Sequence, residues 1–122
     1  MRLLIVDDSS VIRSRIARIA QHPDLSPIEV VGLARHGEEA IGMCSRHRPD
    51  VVTMDLTMPN MDGLACIQGI VKISGMARIL VVSALSDKRT ALKALTYGAH
   101  GYIHKPFTDA ELVAGLQELV KD

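Results

Sequence analysis

The chain has no tryptophan, one phenylalanine and two tyrosines among its 122 residues. So few aromatics leave no platform on which nucleic-acid bases could stack. Charge of one sign is also missing. Fourteen basic and fourteen acidic residues cancel, so no overall field draws the chain to nucleic acid or an anionic membrane. The two cysteines, Cys44 and Cys66, form no CxxC pair and no metal-ligand spacing, and read as reduced, small apolar residues. No apolar run approaches membrane-spanning length. The start, "MRLLIVDDSS", holds four apolar residues before two aspartates, which is not the pattern of a signal peptide. These absences imply a cytoplasmic domain with no membrane insertion and no direct nucleic-acid partner.

What is present is a regular alternation. Hydrophobic residues make up 48% of the chain, enough for one core, and residues 1–122 read as a single domain with no linker or repeat. Short apolar runs over 3–6, 28–34, 51–54, 78–83 and 101–104 read as strands. Between them lie helical patterns. Ile12, Ile16, Ile19 and Ala20 repeat at helical spacing, "GEEAIGMCSRH" follows the second strand, and residues 63–74 place Leu64, Ile67 and Val71 on one face. Ala91, Ala94 and Leu95 mark a fourth helix. Thr108 and Glu111 make a capping box before Leu112, Leu116, Leu119 and Val120. This is (βα)5. Several strands are apolar on consecutive residues, as expected of a parallel sheet covered by helices on both faces, so the fold class is a doubly wound α/β sheet of five strands.

The polar residues collect at one end of these strands. Strand one stops at Asp7 and Asp8, strand three at Asp55, strand four at Ser83, and Lys105 follows strand five. In an open parallel sheet these ends share an edge, where ligands bind. Each residue taken singly is explained by helix capping, since Asp and Ser are favoured N-caps; Asp8, Ser9 and Ser10 all suit the first helix. Asp55 fits that reading poorly, because its helix starts some seven residues later, after a loop holding Met58 and Pro59. Two carboxylates about 4 Å apart repel by roughly 4 kcal/mol at an effective dielectric near 20. Three in one cleft therefore call for a divalent cation or a proton, and oxygen ligands without His or Cys favour Mg²⁺, or Mn²⁺. Cation, ammonium and hydroxyl around a free carboxylate make a phosphoryl-transfer site in which the carboxylate is the nucleophile.

"LLIVDDSS", "PDVVTMDLTMPNMDG", "ILVVSA" and "YGAHGYIHKPF", in this order and at these intervals, resemble the receiver domain of two-component response regulators over essentially the whole chain. "MDLTMPNMDG" is most similar to stand-alone chemotaxis-type receivers. The resemblance implies a flavodoxin-like strand order, 2-1-3-4-5 (a chemotaxis receiver is the standard example of that order), and a phosphorylation-activated switch in place of a turnover enzyme. It makes Asp55 the phosphoacceptor, taking its phosphoryl group from a phosphohistidine on a sensor histidine kinase or phosphotransfer protein. It makes Asp8, Asp55 and the backbone carbonyl of Thr57 direct Mg²⁺ ligands, with Asp7 acting through water. It implies that Lys105 holds a phosphoryl oxygen, that Ser83 donates its hydroxyl to another, and that Tyr102 reports the movement. The Lys105–Pro106 peptide is implied to be cis and to aim the lysine. Thr57 and Leu85 occupy positions that tune dephosphorylation. Residues 86–121 are the implied output face toward a downstream protein target, and the Arg-bearing first helix the kinase-docking face. The chain would act as a monomer or a phosphorylation-dependent dimer.

Three rivals stand beside this reading. A haloacid-dehalogenase-like phosphatase also uses a strand-end aspartate, but needs a second acid two residues later, where Thr57 stands. A docking-only receiver would have no need of all five site residues. A receiver end of a longer regulator with a DNA-binding or enzymatic output domain fits the same motifs. Histidines 22, 36, 47, 100 and 104 share no ligand spacing and read as surface or loop residues. Arg13, Arg15 and Arg18 read most simply as a solvated helix face. The methionines read as packing, with Met58 and Met61 flanking the acceptor loop, and Gly98 and Gly101 as a helix cap and a turn.

Overall fold

The structure is a computed structural model and describes residues 1–58 and 61–120. Pro59, in the loop after strand three, and Lys121, at the end of the expected output face, lie outside the described residues. Five strands, β1 (Arg2–Val6), β2 (Glu29–Ala34), β3 (Val51–Met54), β4 (Arg78–Ser83) and β5 (Gly101–His104), alternate with five helices. The helices are α1 (Ser10–Ile19), α2 (Gly37–His47), α3 (Gly63–Ile73), α4 (Lys88–Tyr97) and α5 (Asp109–Val120). All four strand pairings are parallel, in the order β2-β1-β3-β4-β5, which is the order the resemblance implied. Small differences from the sequence reading have local causes. Ile28 packs into the core ahead of β2 without joining its ladder. Ser74 caps α3 and does not extend it. Gly101 opens β5 and is not a turn.

The two-residue period of a strand sorts side chains onto two cores. Leu3, Ile5, Val51, Leu80 and Val82 face α1 and α5, meeting Ile16, Ile19, Leu112, Leu116 and Leu119. Leu4, Val6, Val52, Met54, Ile79 and Val81 face the other helices, meeting Ala40, Cys44, Cys66, Ile67, Ile70 and Ala94. The inner positions of β1, β3 and β4 are thus apolar on consecutive residues because both faces are covered, with Thr53 of β3 the buried polar exception. Each fully buried Leu or Ile adds about 1.5–3 kcal/mol of burial free energy. Burial raises the Cys44 thiol to about 11 and the Cys66 thiol to about 12, so both are inert packing groups.

Caps fix where the helices begin. Ser9 accepts from Ile12 N at 3.3 Å, which selects it from the three candidates before α1. Asp62 and Asp87 accept from Leu64 N and Thr90 N, both at 3.0 Å, ahead of α3 and α4. Thr108 and Glu111 exchange bonds of 2.8 and 3.1 Å in the expected capping box. Gly98 ends α4 at φ 123°, a conformation in which a Cβ would also strike Val71. Among the described residues no helix is long and apolar enough to cross a membrane.

Candidate functional site

The parallel ladder continues one residue past β1, β3 and β5 and holds the polar residues there in place. Asp7 N donates to Ala34 O at 3.0 Å, Asp55 N to Val6 O at 3.0 Å, and Lys105 N to Ser83 O at 2.9 Å. Asp7, Asp55 and Lys105 therefore start from neighbouring points on one sheet edge, although 98 positions separate Asp7 from Lys105. Asp7, Asp8 and Asp55 each offer a carboxylate oxygen within 4.8 Å of the others. Asp7 and Asp55 are buried, while Asp8 is exposed and opens the cluster to solvent.

Lys105 supplies the opposing charge. Its Nζ lies 2.8 Å from Asp7 Oδ2 and 3.6 Å from Asp55 Oδ2. The other oxygen of each buried acid has a local donor. Asp7 Oδ1 accepts from Ser9 N at 3.0 Å, and Asp55 Oδ1 accepts from Thr57 N at 3.2 Å and Thr57 Oγ1 at 3.1 Å. Burial raises the Asp7 carboxyl above its usual value, against the lowering pull of its Lys105 and Ser9 hydrogen bonds; the Asp55 charge adds to the rise. The cluster thus carries more negative charge than one ammonium neutralises. An all-oxygen donor set with that imbalance and one solvent-facing member fits a small hard divalent cation.

Ser83 is fully buried at the end of β4. Its Oγ accepts from Leu85 N at 3.2 Å, and its hydroxyl also interacts with the Tyr102 phenol. Tyr102 donates its hydroxyl to the carbonyl of the same Leu85. Burial raises the Tyr102 phenol above its usual pKa and keeps it a donor. The Leu85 backbone is therefore a joint between Ser83 and Tyr102, a role no side-chain pattern announces. The Lys105–Pro106 peptide is cis, as the resemblance implied.

One sequence reading needs correction. Arg13 and Arg15 do not form a solvated face with Arg18. Arg13 turns back to donate to the Asp7 carbonyl at 2.7 Å, and Arg15 donates to the Phe107 carbonyl at 2.7 Å. Both are half-buried, and Arg18 alone of the three is exposed. The histidines take ordinary roles: His36 caps α2, and His100 Nδ1 accepts from Ile79 N at 3.1 Å. Met58 and Met61 pack against the core on the α2 and α3 side, Met61 lying over Gly37. A cleft of about 670 Å³ lies along β5 and α5, lined by residues such as His100, Gly115 and Glu118. It lacks the chemistry of the carboxylates, and a cation with a phosphoryl group needs only a shallow site.

A family profile described as "Response regulator receiver domain" matches residues 3–117. The chain is 38% identical over 120 residues to the chemotaxis protein CheY of Thermotoga maritima, covering 98% of each chain. It is also 38% identical to a protein-glutamate methylesterase/protein-glutamine glutaminase of Methanococcoides burtonii, covering 99% of this chain and 32% of that one. A crystal structure of a CheX-CheY-BeF3-Mg²⁺ complex from Borrelia burgdorferi superposes with a TM-score of 0.91 at 30% identity, covering all of this chain and 90% of that chain. A profile match over nearly the full length and a whole-length relative of this similarity lead to one conclusion: the chain belongs to the response regulator receiver domain family.

Proposed function

We propose that this protein is a phosphorylation-activated switch, a single receiver domain whose acceptor is Asp55. The observation that carries the reading is the Lys105 ammonium, 2.8 Å from Asp7 and 3.6 Å from Asp55, inside a cluster of three carboxylates. Thr57 occupies Asp55 Oδ1, so Oδ2 on the ammonium side is the nucleophile. Its lone pair forms the new O–P bond as the P–N bond of a phosphohistidine breaks, and the imidazole leaves with the electron pair and gains a proton. Asp8, Asp55 and the Thr57 backbone carbonyl would hold Mg²⁺ (Mn²⁺ suits the same oxygens), with Asp7 acting through water because both its oxygens already have protein donors. When bound, the cation neutralises charge on the phosphoryl oxygens. Lys105 binds one of those oxygens, and the Ser83 hydroxyl donates to another.

That last bond is the switch. Phosphorylation adds negative charge at Asp55 and draws Ser83 toward it. Ser83 and Tyr102 share the Leu85 backbone, so the movement passes to β5 and the start of α4. A shift from 1:99 to 99:1 requires about 5.5 kcal/mol of preference for the active arrangement. The helix most affected is lightly anchored. Ala94 is the one α4 side chain buried among the described residues, and Leu92 and Leu95 are 58% and 45% exposed. The surface of α4, β5 and α5 is accordingly the face offered to a downstream protein target, with a sensor histidine kinase or phosphotransfer protein acting upstream in the cytoplasm. Similarity to CheY over whole chains favours a chemotaxis role and a stand-alone protein. A receiver joined to an output domain is the second reading, favoured by the methylesterase relatives, of which the chain matches about a third. The phosphatase rival is disfavoured because Thr57, in the position of its general acid, is engaged as a donor to Asp55.

Acetyl phosphate with Mg²⁺ is expected to add one phosphoryl group to the wild-type chain by intact mass, and none to Asp55→Asn. Labelling that persists in the variant would move the acceptor elsewhere.

A further inference from the structure

Between Lys105 and the first residue of α5 the chain runs through Pro106, Phe107 and Thr108, outside any strand or helix. The lysine's position depends on how firmly this turn is held. Its strand-side anchor is the bond from Lys105 N to Ser83 O. Beside the Thr108–Glu111 capping box and the buried Phe107 ring, one side chain reaches it from across the fold. The Arg15 guanidinium donates Nη2 to the Phe107 carbonyl at 2.7 Å and reaches Asp109 Oδ1 with Nη2 at 3.0 Å and Nε at 3.3 Å. It also lies over the Phe107 ring, 4.4 Å from the centroid. The ring is buried in the α1 and α5 core with Ile16 and Leu112, so the stack connects the turn to the body of the protein. Arg18 reinforces Asp109 from the next turn of α1 at 3.2 Å. Two residues before Arg15, Arg13 holds the Asp7 carbonyl. One helix therefore braces both loops that bring the buried acid and the ammonium together.

We propose that Arg15 is a positioning residue, which keeps the Lys105 ammonium at the acidic cluster by pinning the turn between β5 and α5 to α1. This rests on the phosphoacceptor reading above. A planar fork that binds a carbonyl and a carboxylate while stacking on a ring is a task for arginine that lysine does not reproduce. Displacing a catalytic group by about 1 Å can cost up to about a hundredfold in rate.

The test is a double-mutant cycle on the rate of labelling by acetyl phosphate in Mg²⁺. Arg15→Met keeps the aliphatic stem and the helix propensity and removes every donor. It is expected to slow labelling about tenfold in the wild-type background and to change nothing in the Lys105→Ala background, because its effect passes through Lys105. In the cation-free protein, backbone ¹⁵N order parameters at Phe107 and Thr108 should fall in Arg15→Met, a readout that does not depend on activity. Should Arg15→Met fail to fold by circular dichroism, Arg15→Lys carries the same cycle with the same expectation. Labelling within twofold of wild type, or an equal loss in both backgrounds, overturns the inference while Asp55 remains the acceptor. A wild-type chain that takes no label overturns the phosphoacceptor reading, and this inference with it.

Discussion

Replacing Lys105 by Met removes the one cation found among the buried acids in the described residues while keeping the length of the side chain. With an effective dielectric near 20, the 2.8 and 3.6 Å separations correspond to attractions of roughly 6 and 5 kcal/mol. The acids repel one another as well, by roughly 3.5 kcal/mol for a pair at 4.8 Å. The whole of this attraction is not lost, because a carboxylate deprived of its partner takes up a proton and because burying the ammonium is itself unfavourable. Breaking a buried pair by removing one partner costs about 3–5 kcal/mol. The 18% exposure of the lysine side chain places the expectation at the low end, about 3 kcal/mol near pH 8 without divalent cation. With a urea slope near 2 kcal/mol/M, the unfolding midpoint should fall by about 1.5 M. The deficit should narrow as pH falls and the acids protonate. It should also narrow on adding Mg²⁺, since a cation bound only to the folded state replaces the missing charge. A Lys105→Met protein as stable as wild type near pH 8 without cation, or a deficit indifferent to both pH and Mg²⁺, would refute this account of the site.

The other predictions concern groups around the same edge and in the core behind it. Burial raises Asp7 above the ordinary carboxyl value of 3.8; such an acid favours folding while protonated, so its contribution is full below that value and is lost as pH rises through the folded pKa. Asp7→Asn should thus match wild type at the acid end and gain on it as pH climbs above the ordinary carboxyl value, read from urea midpoints at each pH. Gly63→Ala would set a Cβ 2.5 Å from Leu56 Cα and 3.0 Å from Asp55 O. It should lower stability by about 1–3 kcal/mol and slow labelling, as checked by thermal unfolding and acetyl phosphate kinetics. With thiols raised to about 11 and about 12 and fully buried, Cys44 and Cys66 should resist a thiol reagent in the native state and react in full once unfolded.

Much of this protein is written in short-range patterns. Apolar runs on consecutive residues announce strands covered on both faces, and Thr108 with Glu111 announces the start of α5. The strand-end residues Asp7, Asp8, Asp55, Ser83 and Lys105 were legible for the same reason, since parallel strands joined by right-handed crossovers place all their carboxyl ends on one edge. Tertiary structure decided what periodicity does not encode. Arg13, Arg15 and Arg18 look alike on a helical wheel, yet Arg13 and Arg15 fold inward onto carbonyls supplied by other segments while Arg18 stays exposed. The Leu85 backbone joins Ser83 to Tyr102 because a loop brings the N–H and the carbonyl of one residue within reach of the two hydroxyls. Local pattern fixes which groups a residue carries to an edge or a face, because it depends on neighbours along the chain. Which distant carbonyl or carboxylate a long side chain finds depends on how the layers pack, and that is settled only when the helices close over the sheet.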